Sequence, residues 1–267
     1  MNLKHLIEPI VTLAVAAGDA ILEVYATDFD VQSKADTSPL TQADLAAHRH
    51  IAQGLDKLTP DIPVISEECG LPAFAERSQW PRYWLIDPLD GTKEFVSRNG
   101  EFTVNIALIE SHRPVFGVVH VPVQGKTYIG CKGYGAELRE GDARPAALHV
   151  AASSARPVRV VGSRSHRGSS LDAFLERLGD ADMVAMGSSL KFCTIAEGKA
   201  DIYPRLGPTS EWDTAAAQAV VEQAGGQVLE LDGKPLSYNV KAEILNPFFV
   251  VLGPTDHDWL ALLSGDE

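Results

Sequence analysis

The chain of 267 residues predicts a layered protein of two α/β halves facing a shared cleft. Three observations carry that reading. Apolar strands separated by short Gly-, Pro- and Arg-containing turns dominate the first half and predict an antiparallel meander. From about Pro157 strands and helices alternate, which predicts a second, mixed sheet. Between these regions, residues 140–157 are rich in Ala, Arg and Pro, so halves of 1–150 and 151–267 are expected. With 45% hydrophobic residues the chain can bury a substantial core.

The elements follow from local pattern. Leu3, Leu6, Ile7, Ile10, Val11 and Ala14 recur at helical spacing and predict an amphipathic helix to about Tyr25. Thr41 reads as the N-cap of a second helix, with Leu45, His48, Ala52 and Leu55 on one face. Val64–Ile65 and Tyr83–Ile86 predict short buried strands, and Phe102–Ile109, Val115–Val121 and Lys126–Cys131 predict three more. In the second half, strands are expected at Val158–Val161, Gln227–Leu231 and Phe248–Leu252. Helices are expected at Ser170–Leu178, Ser188–Glu197 and Trp212–Ala224.

Charge narrows the partners. The net charge is −13, from 23 basic and 36 acidic residues, and no basic patch marks the chain for nucleic acid polymers. A small anionic substrate is still compatible, because bound cations can reverse the local sign. Cys69, Cys131 and Cys193 are far apart in the sequence and form no CxxC pair, which suits a reducing compartment. Glu8, Pro9 and Asp19 interrupt the apolar residues near the N-terminus, so neither a signal peptide nor a transmembrane span is expected. The expected location is cytoplasmic.

The carboxylates give the chemistry. The apolar run Trp84–Ile86 leads into Asp87-Pro88-Leu89-Asp90-Gly91-Thr92, delivering two aspartates to a turn that could open a helix. Such a turn can hold hard divalent cations on its carboxylates while free N–H groups face an anion. Glu67-Glu68 follow another short apolar strand, and Asp44 and Asp213 lie in the first turns of predicted helices. Taken singly, an acidic residue in a first turn simply complements the helix dipole. Clustered without cations, these groups would repel and their pKa values would rise. An oxygen-only ligand set suits magnesium better than zinc.

The run Asp87–Thr92, with Ser66-Glu67-Glu68 before it and Trp212-Asp213-Thr214-Ala215-Ala216 after it, resembles the inositol monophosphatase superfamily. These are magnesium-dependent, lithium-sensitive phosphomonoesterases. The stretches 91–95, 98–105, 187–193, 203–205 and 207–209 are similar to the bacterial 3′(2′),5′-bisphosphate nucleotidases of sulfur assimilation and nucleotide recycling. The similarity runs nearly end to end, reaching Leu245-Asn246-Pro247. It implies an α+β, layered α-β-α-β-α sandwich of the sugar-phosphatase type, with an antiparallel N-terminal sheet and a mixed C-terminal sheet. The implied activity is hydrolysis of adenosine 3′,5′-bisphosphate to AMP and phosphate. The alternatives are an inositol or other small sugar-phosphate phosphatase, and a non-catalytic nucleotide sensor that keeps the fold.

Carried over residue by residue, the resemblance makes Glu67, Asp87 and the Leu89 main-chain carbonyl ligands of a first Mg²⁺. Asp87, Asp90 and Asp213 would hold a second. Asp44 and Thr92 would orient the attacking water, or Asp44 would hold a third, weaker ion, so two or three Mg²⁺ per site are implied. Asp44, Glu67 and Thr92 are the implied catalytic residues, in direct in-line transfer to water without a phosphoenzyme. Glu67, Leu89, Asp90, Gly91, Thr92 and Asp213 would also meet the substrate, Gly91 and Thr92 through N–H groups that hold phosphate oxygens. Lys191 and Arg205 are expected at a second phosphate. Arg164 is a further cationic candidate, His166 could pack against the adenine, and Trp212 is expected to fill the core. Monomer and homodimer both stay open, as does loose attachment to the inner membrane.

Overall fold

The computed structural model describes residues 3–27, 39–163 and 169–264; Arg164 and His166 lie outside them. A 3₁₀ turn at Lys4–Leu6 leads into helix α1 (Ile7–Tyr25), which buries Ile7, Ile10, Ala14, Ala17 and Ile21. Helix α2 spans Pro39–Leu58, so Thr41 lies inside it and is not its N-cap. Its buried stripe is Ala43, Ala47, Ile51 and Leu55, rotated from the expected face, and Leu45 is 37% exposed. Close packing on α1 explains the rotation. Small side chains face the partner helix, and a Cβ on Gly54 would meet Leu13 at 2.2 Å. The rotation leaves His48 free to reach Ser66, with its Nδ1 2.9 Å from the Ser66 hydroxyl.

A seven-stranded sheet follows in chain order: β1 (Val64–Ser66), β2 (Arg82–Asp90), β3 (Thr103–Glu110), β4 (Arg113–Val121), β5 (Lys126–Cys131), β6 (Gly135–Glu140) and β7 (Ala146–Ala147). From β2 onward every pairing is antiparallel. The β1–β2 pair is parallel, with Ser66 opposite Ile86, which corrects the expectation of a wholly antiparallel sheet. Residues 67–81, including the short helix α3 (Phe74–Arg77), supply the crossover that a parallel pair needs. This correction builds the site: it brings the carboxyl ends of β1 and β2, and so Glu67 and Asp87, to one edge of the layer. The Glu67 N–H donates to the Ile86 carbonyl at 3.3 Å. Strand β2 continues through Asp90 with an irregularity between Asp87 and Asp90, then passes through Gly91 into helix α4 (Thr92–Val96).

The second half runs β8 (Val158–Ser163), α5 (Ser169–Leu178), β9 (Ala181–Met186), α6 (Leu190–Ala196), β10 (Ile202–Arg205), α7 (Glu211–Gln223), β11 (Gln227–Glu230), β12 (Phe249–Leu252) and α8 (Trp259–Ser264). Its sheet order is β11-β12-β10-β8-β9. Strand β8 is parallel to β9 and β10, and β12 is antiparallel to β10 and β11, so the sheet is mixed as expected. Strands β6, β7, β9 and β10 and helices α3 and α8 are additions to the elements read from sequence.

Among the described residues three apolar cores join five layers, the central core enclosing the middle layer of helices. Period-two alternation sends Trp84, Ile86, Val104, Ile106 and Leu108 into the core shared with α1 and α2. Tyr83, Leu85, Ala107 and Ile109 face the opposite way, into a core with α6, α7 and the inner face of the second sheet. Trp212 packs partly buried against this central core, in keeping with its expected role. Helices α5 and α8 cover the outer face through Leu171, Phe174, Trp259 and Leu263. The result is the expected α-β-α-β-α sandwich.

Helix α7 sits against the first sheet almost backbone to backbone. A Cβ on Gly117 would lie 2.2 Å from the Ala216 carbonyl oxygen, and one on Gly130 would lie 2.4 Å from that of Ala219. Ala215, Ala216, Ala217 and Ala219 are accordingly buried. At the helix start, buried Glu211 accepts the Asn239 N–H at 2.9 Å, while Arg77 hydrogen-bonds the Asn239 side chain and donates to the Ala242 carbonyl at 2.5 Å. These contacts fix where α7 begins, and therefore where Asp213 stands.

Candidate active site

Asp87 lies on the face of β2 that points toward α7 and is 1% exposed. Its Oδ1 accepts the Leu89 N–H at 3.0 Å, which closes the turn around Pro88. Asp213 is the third residue of α7 and completes a capping box with Ser210, accepting the Ser210 N–H at 3.0 Å. The Thr209 hydroxyl donates to the same Oδ2 at 2.6 Å. Glu67 comes from the loop after β1. One carboxylate oxygen each from Glu67, Asp87 and Asp213 lie within 4.8 Å of one another, although the three residues come from widely separated stretches.

Asp90 and Asp44 flank this trio. Asp90 Oδ2 accepts the Ser189 N–H at 2.6 Å, so its carboxylate is tied to the second half of the chain. Asp44 approaches from α2 on the side of Glu67 and Glu68. A cleft of about 270 Å³ is lined by Glu67, Asp87, Leu89, Asp90, Gly91, Thr92 and Asp213, with Lys191 and Arg205 also on its wall. Gly91 has φ 99°, a left-handed conformation that favours glycine, and it caps α4, which begins at Thr92.

The electrostatics of this cluster are unfavourable without a counter-ion. Burial, then Glu68 and Glu67, push the Asp44 carboxyl up to about 8. Glu67, at the cleft rim, rises to about 7 through burial, Asp213 and Glu68. Asp90 rises to about 7 through burial and Asp213, with Lys191 opposing. Asp87 is raised well above the usual range by burial and then by Asp90, Asp213 and Glu67. Asp213 is raised by burial against the pull of its Thr209 and Ser210 hydrogen bonds. Converging oxygens with too little positive charge fit one or more hard divalent cations, for which an all-oxygen donor set is suited.

Lys191 supplies the local positive charge. It is buried, donates to the Ser188 carbonyl at 2.6 Å, and stands 5.7 Å from the centre of the Tyr203 ring. Burial lowers its pKa to about 8, while Asp90 pulls it up and Arg205 pushes it down. Arg205 donates to the Gly207 carbonyl at 3.2 Å and also to the Pro208 carbonyl, which aligns its guanidinium at the cleft wall.

One set of contacts beside the carboxylates is not among those expected from the sequence. The Ser189 hydroxyl is 2.8 Å from that of Thr103 and donates to Asn105 Oδ1 at 2.9 Å, forming a buried polar network behind Asp90. Its signal in the sequence is the pair Thr103 and Asn105, two polar residues at period two in a strand that is apolar from there to Ile109.

Comparison with known proteins agrees with this fold. Residues 2–261 match the model of the inositol monophosphatase family. The chain is 50% identical over 248 residues to the 3′(2′),5′-bisphosphate nucleotidase CysQ of Escherichia coli O157:H7, covering 92% of this chain and 99% of that protein. A crystal structure of CysQ from Bacteroides thetaiotaomicron, described as a bacterial member of the inositol monophosphatase family, superposes with a TM-score of 0.83 at 40% identity. It covers 92% of this chain and 96% of that one. An inositol monophosphatase from Zymomonas mobilis shares the fold, with a TM-score of 0.82 at 21% identity over 99% of each chain. Shared fold, matched length and a carboxylate-lined cleft lead to one assignment: the chain belongs to the inositol monophosphatase family.

Proposed function

We propose that this protein is a Mg²⁺-dependent 3′(2′),5′-bisphosphate nucleotidase that hydrolyses adenosine 3′,5′-bisphosphate to AMP and phosphate. The observation that carries the reading is the division of one cleft into a carboxylate cluster and a cationic wall. A nucleotide with two phosphates needs both. An inositol monophosphate has no second phosphate to occupy Lys191 and Arg205. The 50% identity to a protein named for this activity supports the same choice.

In this reading Glu67, Asp87, the Leu89 carbonyl, Asp90 and Asp213 would hold two Mg²⁺, and Asp44 would help hold a third. When bound, the ions supply an acidified water and neutralise the departing ester oxygen. The chain's own groups do the remaining work. Main-chain N–H groups of Gly91 and Thr92 receive phosphoryl oxygens, and Thr92 with Asp44 aligns the attacking water. Asp213 is held in place by Thr209 and Ser210, and Asp90 by Ser189. Lys191 and Arg205 meet the phosphate that is not cleaved, and Lys191 gains charge as that anion arrives. Among the described residues no helix is long and apolar enough to cross a membrane, and a cytoplasmic location is part of the proposal.

The test is phosphate release from adenosine 3′,5′-bisphosphate, its 3′-phosphosulfate counterpart and inositol 1-phosphate at controlled Mg²⁺. The bisphosphate should be preferred, with AMP as its product. A clear preference for the inositol ester would overturn the substrate assignment, and absence of metal-dependent release from every compound would favour a sensor.

A further inference from the structure

Glu94 lines the same cleft, two residues beyond Thr92, and none of the roles above uses it. Its position is set by packing. A Cβ on Gly187 would lie 2.5 Å from Glu94 Cγ, and one on Gly91 would lie 3.3 Å from Glu94 Oε2. Gly187 has no left-handed backbone conformation to account for it, so its lack of a side chain leaves space for the Glu94 stem. The Gly187 N–H is directed to Glu101 Oε2, at 2.8 Å, and not to Glu94. Among the described residues no donor is hydrogen-bonded to the Glu94 carboxylate, which is left as an acceptor on the cleft wall. It also lies within electrostatic reach of Asp90 and Lys191.

We infer that Glu94 is a specificity-determining residue that accepts a hydrogen bond from the substrate hydroxyl vicinal to the scissile phosphate. This inference rests on the proposed nucleotidase activity, in which that group is the ribose 2′-hydroxyl of a 3′-phosphate. An ionised carboxylate is acceptor-only and repels a phosphate, so the group it selects is a neutral donor. Its location picks the donor. The carboxylate adjoins Gly91 in the turn that receives the phosphoryl group, so the substrate atom it meets is close to the ester being cleaved. Lys191 and Arg205 then take the second anion, and Glu94 reads the sugar between the two phosphates.

The test compares kcat/KM for adenosine 3′,5′-bisphosphate and its 2′-deoxy analogue in wild type, Glu94→Ala and Glu94→Gln, with Mg²⁺ bound. A hydrogen bond to a charged acceptor predicts a wild-type preference for the ribonucleotide of about 10–100-fold. Glu94→Ala should reduce that preference to near unity, and Glu94→Gln should keep part of it through its amide oxygen. Gly187→Ala, with Glu94 intact but displaced, should also lower it. An undiminished preference in Glu94→Ala, with the nucleotide still hydrolysed, would overturn the assignment of Glu94 alone. Failure of wild type to hydrolyse either nucleotide would overturn both the assignment and the nucleotidase reading beneath it.

Discussion

The Ser189 N–H donates to Asp90 Oδ2 at 2.6 Å, joining the end of β2 to the loop before α6 across 99 residues of sequence. The same loop places the Ser188 carbonyl on Lys191 Nζ at 2.6 Å, and Ser188 has φ 40°. The Asp90 carboxylate and the Lys191 ammonium are therefore held by the two ends of one peptide group, the unit joining Ser188 to Ser189. Displacing one moves the other.

Asp90→Asn separates charge from position at this junction. The amide oxygen can still accept the Ser189 N–H, so the loop should stay in place while one negative charge is lost. Turnover should fall by at least about 100-fold, in the range seen on losing a single key electrostatic group. The thermal midpoint should change little. Near-wild-type phosphate release would show that the Asp90 charge is dispensable.

The metal-free protein should lose stability as pH rises. Asp44, Glu67 and Asp90 have values raised to about 8, 7 and 7, against about 4 for ordinary carboxyls. Each binds more protons folded than unfolded across that window, so its stabilising contribution is full below about pH 4 and lost as pH climbs through about 7–8. The midpoint measured in chelator should fall from about pH 5 to about pH 8, and Mg²⁺ should raise it more at the upper end. An increment from Mg²⁺ that does not vary with pH would contradict this.

Gly117→Ala tests how the fold positions Asp213. The added methyl would meet the Ala216 backbone at 2.2 Å, and backbone cannot swing aside. Overpacking of this kind costs about 1–3 kcal/mol. The shift in α7 should also weaken Mg²⁺ dependence, raising the half-saturating concentration. An unchanged midpoint and an unchanged Mg²⁺ titration would mean that α7 tolerates displacement.

Much of this arrangement was legible in the sequence, because the strongest signals are local. The apolar run ending in Asp87-Pro88-Leu89-Asp90 and the helix opening at Trp212-Asp213 are each readable within a few residues. What was not legible is long-range. The parallel β1–β2 pairing depends on the crossover through α3, which no periodicity in residues 67–81 announces. The buried face of α2 was misplaced because alanines, chosen by helix-to-helix distance, outrank the bulkier Leu45. The Thr103–Asn105–Ser189 network joins residues more than eighty positions apart and shows locally only as two polar residues in a strand.

Lys191→Met tests the cationic wall. The isostere keeps the buried volume and removes the charge, so KM for the bisphosphate should rise by about 10–100-fold, as for loss of a charged hydrogen bond. Inositol 1-phosphate, lacking the second anion, should be affected much less. Equal losses on both compounds would indicate that Lys191 serves Asp90 and not the second phosphate.

Calorimetric titration of Mg²⁺ into wild type and Asp87→Asn, each with inorganic phosphate present, tests the carboxylate cluster most directly. Asp87 is the buried member of the trio whose carboxylate oxygens, with those of Glu67 and Asp213, lie within 4.8 Å of one another. Wild type should bind Mg²⁺ with phosphate-enhanced affinity, and Asp87→Asn should lose that binding while remaining folded by circular dichroism. Unaltered Mg²⁺ binding by folded Asp87→Asn would contradict the convergence of these residues on shared cations.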